Sequence, residues 1–241
     1  MALLERVVTA WQRHSLLSFL GLLVKNITHP LRRISYGEFF FDRLHGANTE
    51  GIIQVADLNV HTENAKHSVH YEPTRQRLAK RIIYSLPIRH SDFSFLDFGA
   101  GKGRVLLIAA RLPFKAVTGI EFSQDLCAIA HENIAHIPAR NRAAANIECH
   151  YGDATAYKLP GGSLVCYFYN PFNEVLMQVM VERLRETLRN DPRDIYVVYV
   201  NPLHRMLFDS EGSWKVVQES EKHVVYRAHL PELVPASAGA A

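Results

Sequence analysis

Cysteine is scarce in this chain. Cys127, Cys149 and Cys166 stand in 241 residues without paired spacing, which excludes a disulfide-stapled scaffold and leaves no zinc motif to read. They are expected to be buried free thiols of a reducing compartment. The chain has thirteen histidines, but none sits in a helical H-E-x-x-H arrangement, so no metal site is expected. Charge of one sign is lacking as well. The formal net charge is only +3, far from the concentrated basic face of a nucleic-acid binder, and a nucleic-acid partner is disfavoured. Long apolar runs are missing too. Residues 16–24 (LLSFLGLLV) supply about half of the roughly twenty residues that a membrane-spanning helix needs. Lys25 and Asn26 follow where a signal peptide would carry a small-residue cleavage site. The expectation is a cytoplasmic chain with no transmembrane segment. There are no internal repeats.

What is present is 48% hydrophobic and 21% charged residues, ordinary for a globular protein, in a length that suits one substantial domain plus an extension. Leu3, Leu4, Val7, Val8 and Trp11 fall at helical spacing. His29-Pro30 interrupts that pattern, because proline disfavours helix at the residue before it. This N-terminal extension is expected to pack on the main domain or on a second copy in a homodimer. The alternative is peripheral contact of 16–24 with a membrane surface. Residues 35–70 are mixed in character, and Asp42-Arg43, Gly46 and Gly51 suggest loops and turns.

A regular alternation begins at Pro73, which suits the first turn of a helix. Leu78, Ile82 and Ile83 give that helix a core face. The pattern then predicts a strand over 93–98, a helix over 103–112 and a strand over 116–121. A helix capped by Ser123 follows and runs to about Ile134. Strands are expected at 147–150 and 164–169, a helix over 174–188, and a strand over 195–200 apolar enough for a sheet centre buried on both faces. Residues 214–218 and 223–228 are too close together for a crossover helix and must form an antiparallel hairpin. The fold class is therefore α/β: a doubly wound, Rossmann-like seven-stranded sheet with an antiparallel C-terminal hairpin and an N-terminal helical extension. The expected organisation is an extension at 1–70, a ligand-binding domain at 71–230 and a flexible tail at 231–241.

The chemistry concentrates in Asp97-Phe98-Gly99-Ala100-Gly101-Lys102-Gly103-Arg104. A strand ends in an acid, glycines follow at alternate positions, and a helix opens at once. Glycine lets the chain turn sharply and lets a ligand approach the backbone, and the turn lies where open α/β sheets bind ligands. The spacing is neither the G-x-G-x-x-G of dinucleotide sites nor a P-loop. An acid directly before the loop repels a pyrophosphate but suits a cationic ligand. S-adenosylmethionine carries an ammonium and a sulfonium and no phosphate, so the sign of the charge favours it over NAD or ATP. Glu121, ending the second strand, is placed to accept both ribose hydroxyls, and Phe122 either lines the adenine pocket or packs. Asp153 and the Ala154 N–H, just past the third strand, are assigned the adenine amino group and a ring nitrogen. The fourth strand ends in Asn170-Pro171-Phe172, opposite the glycine loop, where a methyl acceptor would lie. The Asn170 carbonyls can accept hydrogen bonds from an amine, and Phe172 can stack on a planar or cationic acceptor.

On these motifs, the run from Tyr71 to about Asn201 resembles class I methyltransferases, most closely bacterial members with D-F-G-x-G-K-G-R and F-x-N-P-F segments. The Tyr71-Glu72-Pro73-Thr74 stretch is also similar to the segment before the first helix in DOT1-like and related seven-strand lysine methyltransferases. That resemblance implies positions for Tyr71 and Thr74 near the methionine end of the cofactor. The chain departs from the amino-methyltransferase N-P-P-[YF] signature by carrying one proline, so transfer to nitrogen is suggested by only part of that signature. The acceptor implied is a protein side chain or a small molecule. A non-catalytic cofactor-binding partner module is the alternative, although it has no use for Asn170-Pro171-Phe172. An NAD-dependent oxidoreductase disagrees with the loop spacing and the terminal hairpin.

Overall fold

The computed structural model describes residues 41–54, 71–210 and 212–228. The expectations for residues 3–27, the apolar run at 16–24 and the tail at 231–241 lie outside the described residues. Residues Asp42–Ala241 group as one compact unit, so 42–54, assigned from sequence to the extension, are part of it.

The sheet forms because its strands are short, β-branched or aromatic, and bounded by turns. β1 (Phe93–Phe98) is buried along its whole length and pairs in parallel with β2 (Ala116–Glu121) on one side and β4 (Ser163–Tyr169) on the other. β3 (Ile147–Tyr151) extends the β2 side. β5 (Ile195–Val200), also buried throughout, pairs in parallel with β4. β7 (His223–Ala228) then runs antiparallel between β5 and β6 (Trp214–Ser220). The order β3-β2-β1-β4-β5-β7-β6 reverses direction between β1 and β4. That reversal opens a crevice at the carboxyl ends of the strands, where such sheets take ligands.

Six helices accompany the sheet among the described residues: α1 (Phe41–His45), α2 (Gln76–Tyr84), α3 (Arg104–Ala109), α4 (Gln124–Ala135), α5 (Glu174–Asn190) and α6 (Met206–Asp209). Ser123 caps α4 as expected, its hydroxyl accepting the Leu126 N–H at 3.4 Å, and Asn173 does the same for α5 through Leu176. On one face of the sheet Leu96, Phe98, Phe168 and Val197 meet Met177, Met180 and Leu184 of α5. No helix among the described residues is long and apolar enough to cross a membrane.

Several local expectations are corrected. Pro73 lies ahead of the helix, not in its first turn: α2 starts at Gln76, and extended Arg75 supplies the carbonyl that accepts the Leu78 N–H at 3.0 Å. Thr74, ahead of the helix, is buried and accepts the Tyr167 hydroxyl. The core face of α2 is Ala79, Ile82 and Ile83, with Leu78 only half-buried. Asp42-Arg43 sits in α1 and not in a loop, and Gly46, at φ +62°, follows the end of that helix. α3 starts one residue later than expected, because left-handed Gly103 (φ +81°) caps it, and it ends at Ala109, short of the expected residue 112. In the terminal hairpin, pairing persists to Ser220 and His223, leaving Glu221-Lys222 as a two-residue turn.

Candidate active site

Tyr71, Thr74, Asp97, Gly99, Ala100, Gly101, Glu121, Phe122, Asn170, Pro171 and Phe172 line one cleft at the switch point, together with Glu72, Arg104 and Tyr169. The fold thus brings together residues that span a hundred positions. Gly103 lies below the loop, where an added Cβ would stand 3.2 Å from the Ala130 Cβ. Asp153 and Ala154 are not among the lining residues. One Asp153 oxygen accepts from the Thr155 N–H and hydroxyl, both at 2.7 Å, and the Ala154 carbonyl accepts from Arg183 at 3.0 Å.

The glycine loop takes its shape from its own backbone. Gly99, Gly101 and Gly103 sit at φ +80°, +53° and +81°, the left-handed region that side chains disfavour. Protein groups also crowd two of them. A Cβ at Gly101 would lie 2.2 Å from the Tyr71 ring, and one at Gly99 would lie 2.7 Å from the Pro171 Cβ. The loop is therefore held between Tyr71 on one side and the Asn170-Pro171 turn on the other.

Two carboxylates face this cleft. Glu121 is buried, and its oxygens accept the Gly101 N–H at 2.7 Å and the Ser123 N–H at 2.9 Å. Burial pushes its pKa up to about 7, against the pull of those backbone donors. Asp97 is also buried and makes no hydrogen bond within the described residues. Burial, with Glu121 nearby, pushes it up to about 8. A buried carboxyl without a partner is costly. Side by side, these two acids make a cleft whose electrostatics call for a cation.

The opposite wall is neutral. Asn170 follows β4 at φ +40°, a conformation asparagine tolerates better than most residues. Its side-chain oxygen accepts the Tyr199 hydroxyl at 3.3 Å, and that hydroxyl in turn accepts the His204 N–H at 3.3 Å. Asn201 repeats the turn at the end of β5, at φ +49° before Pro202. Tyr167, from mid-β4, donates to the Thr74 hydroxyl at 3.4 Å and so ties the Tyr71–Thr74 stretch to the sheet.

Sequence reasoning missed the strap formed by residues 42–53. The Asp42 carboxylate accepts the N–H groups of Thr49 and Glu50 at 2.6 and 2.9 Å. Buried Arg104 donates to the Thr49 hydroxyl at 2.7 Å, and buried Lys102 donates to the Glu50 carbonyl at 2.7 Å. Asn133 of α4 joins both parts: it accepts the Asn48 N–H at 2.7 Å and donates to the Lys102 carbonyl at 2.8 Å. Tyr71 pairs with Ile53 in an isolated bridge and donates its hydroxyl to the Thr49 carbonyl at 2.7 Å. Two signals pointed here: Lys102 and Arg104 flanking a buried turn, and polar Asn133 on the apolar stripe Leu126, Cys127 and Ala130.

The seven-stranded sheet thus carries an acid near the end of β1 and another at the end of β2, around a glycine turn. In comparison with known proteins, residues 95–191 match the family model described as a methyltransferase domain. The chain is 34% identical over 73 residues to the release factor glutamine methyltransferase of Caulobacter vibrioides, a match covering 30% of this chain and 25% of that protein. The aligned part thus spans a quarter of that relative's length. Among solved structures, an RNA methyltransferase of Salinibacter ruber in complex with S-adenosyl-L-homocysteine aligns at 20% identity and a TM-score of 0.45, covering 70% of this chain and 100% of the other. A dimethyladenosine transferase from Plasmodium falciparum aligns at 17% and 0.46, covering 66% and 62%.

Proposed function

We propose that this chain is an S-adenosylmethionine-dependent methyltransferase that moves a methyl group to a nitrogen of a protein side chain or a small molecule. The observation that carries the reading is Asp97, a buried carboxyl with no hydrogen bond in the described residues, beside Glu121 in one cleft. Such a pair fits a ligand with positive charge and hydroxyl donors and disfavours one bearing a pyrophosphate.

When bound, the cofactor supplies a methyl group already activated on a sulfonium. The chain's own residues hold and orient. Asp97 takes the cationic end, with Tyr71 and Thr74 beside it, while Gly99, Ala100, Gly101 and Gly103 shape the backbone between. Glu121 accepts the ribose hydroxyls through lone pairs that Gly101 and Ser123 leave unused. Phe122, Asp153 and Ala154 are assigned the adenine end. On the acceptor side, the Asn170 amide oxygen has a second lone pair beside the one given to Tyr199, and the Asn170 backbone carbonyl, before Pro171, offers another. Together they can take the two N–H groups of an amine and direct its lone pair into the cleft, with Phe172 against the acceptor. An amine that arrives neutral needs no strong base, and His131, His136 and His150 are all exposed. Positioning of this kind can contribute roughly 7–11 kcal/mol to lowering a barrier.

The test is transfer of radiolabelled methyl into a host-cell extract separated into protein, nucleic acid, lipid and small molecules. Label in the protein or small-molecule fraction is expected, and hydrolysis of the labelled material should place the methyl on nitrogen. Label confined to nucleic acid would overturn the acceptor class. No label in any fraction despite cofactor binding would favour a non-catalytic module.

A further inference from the structure

Two thiols with no part in the proposed chemistry lie side by side. Cys127 of α4 and Cys149 of β3 place their sulfurs 3.5 Å apart, and both are buried. They meet because each sits on the inward face of its element: Cys127 on the α4 stripe with Leu126 and Ala130, Cys149 at an inward position of β3 after Ile147. His131, exposed and one turn beyond Cys127, donates from Nε2 to the Cys149 carbonyl at 2.6 Å. The same nitrogen stands 3.9 Å from the Cys127 sulfur. The Cys149 S–H is the larger cause holding the Cys127 thiol down at about 7, burial opposes it, and His131 adds to the lowering. The Cys149 thiol is pushed upward by the same hydrogen bond and by burial. One sulfur of the pair is thus set to be the nucleophile and the other to keep its proton. Cys166 differs: it is fully buried in β4 and burial pushes it up to about 12.

We propose that Cys127 and Cys149 are an oxidation site, a dithiol that a hydroperoxide converts into an intramolecular disulfide tying α4 to β3. The Cys127 thiolate attacks one peroxide oxygen and the O–O bond breaks, leaving Cys127 as a sulfenic acid. The departing alkoxide or hydroxide takes up the proton that Cys127 had lost. The Cys149 sulfur then attacks the sulfenic sulfur, and the displaced hydroxide leaves as water with the Cys149 proton. Two thiols lose two electrons and two protons, and the peroxide is reduced to an alcohol, or to water when it is hydrogen peroxide, plus one water. The sulfurs close from 3.5 Å to a bond of about 2.0 Å, a distance that side-chain rotation and a small approach of α4 can cover.

The full folded chain, treated with a few equivalents of hydrogen peroxide, tests this by intact mass and non-reducing peptide mapping. The expected product is lighter by about 2 Da, with Cys127 and Cys149 in one cross-linked peptide pair, Cys166 free, and full reversal by dithiothreitol. In Cys149→Ala, which also removes the hydrogen bond that lowers the Cys127 thiol, the reaction should be slower and stop at a Cys127 sulfenic acid that dimedone traps. Thiols left unmodified in the folded chain, or a cross-link through Cys166, would overturn the proposal. So would oxidation of wild-type Cys127 to a sulfinic acid with no cross-link.

Discussion

The two walls of the cleft solve different problems. At the ends of β1 and β2, Asp97 and Glu121 are buried acids whose charged forms burial disfavours. At the ends of β4 and β5, Asn170, Tyr199 and the His204 N–H form a neutral chain of hydrogen bonds that is already complete. In the proposed reading the first wall selects a ligand by the sign of its charge. In the same reading the second wall gives direction, with left-handed asparagines in a conformation that this residue tolerates better than most. A substitution on one wall should therefore change affinity, and on the other, rate.

The largest effect is expected from Asp97→Asn. S-adenosylmethionine affinity should fall on the order of 100-fold, or about 2.7 kcal/mol, by isothermal titration calorimetry. The melting temperature of the ligand-free protein should hold or rise, because a buried acid with no hydrogen bond among the described residues has been removed. Next, Asn170→Ala should lower turnover on the order of 100-fold with cofactor affinity kept within about twofold, as expected where positioning supplies the rate. Equal loss of affinity would dissolve the distinction between the walls. Gly101→Ala should weaken binding roughly tenfold or more and destabilise the fold, since the new Cβ meets the Tyr71 ring at 2.2 Å and φ is +53°; equilibrium unfolding and titration read both.

Acidity sharpens the contrast further. Folding raises Asp97 from 3.8 to about 8 and Glu121 from 4.5 to about 7. The folded, ligand-free chain thus holds more protons than the unfolded chain between those values. Its stability contribution from these groups is full below the lower values and is lost as pH rises through 7 and 8. Affinity for a cation should move the opposite way and climb over that interval. Melting curves and titrations at pH 6, 7 and 8 should show stability falling while affinity grows, and parallel trends would contradict the assignment. The smallest expected effect on ligand binding is at the strap, where the loss falls on stability. Asn133→Ala leaves the Asn48 and Lys102 backbone groups unpaired and should cost about 1–3 kcal/mol, read as a lower melting temperature.

The sequence showed the strands well because alternation and buried apolar runs are local signals. Phe93–Phe98, Ala116–Glu121 and Ile195–Val200 follow from residue type alone, and their end residues carry the two acids. Asp97 was legible through its position before the glycines. The strap was not. Asp42 and Thr49 lie far in sequence from Arg104 and Asn133, so only the fold shows that the two parts share hydrogen bonds. The glycine spacing predicts a sharp turn open to a ligand, and the turn is there; the crowding of Gly99 and Gly101 by Pro171 and Tyr71 is a tertiary contact that no spacing encodes. Tyr199 was hidden for the opposite reason: in an all-apolar strand it reads as core, and its hydroxyl matters only once β4 and β5 are paired.

The decisive measurement is calorimetric titration of the intact chain with S-adenosylmethionine near pH 7, repeated in buffers of different ionisation enthalpy and set beside NAD. Binding of S-adenosylmethionine with release of protons to the buffer, and no binding of NAD, is the predicted result, because the cation must displace protons held by Asp97 and Glu121. Tight NAD binding without S-adenosylmethionine binding would contradict it, as would S-adenosylmethionine binding with no proton release.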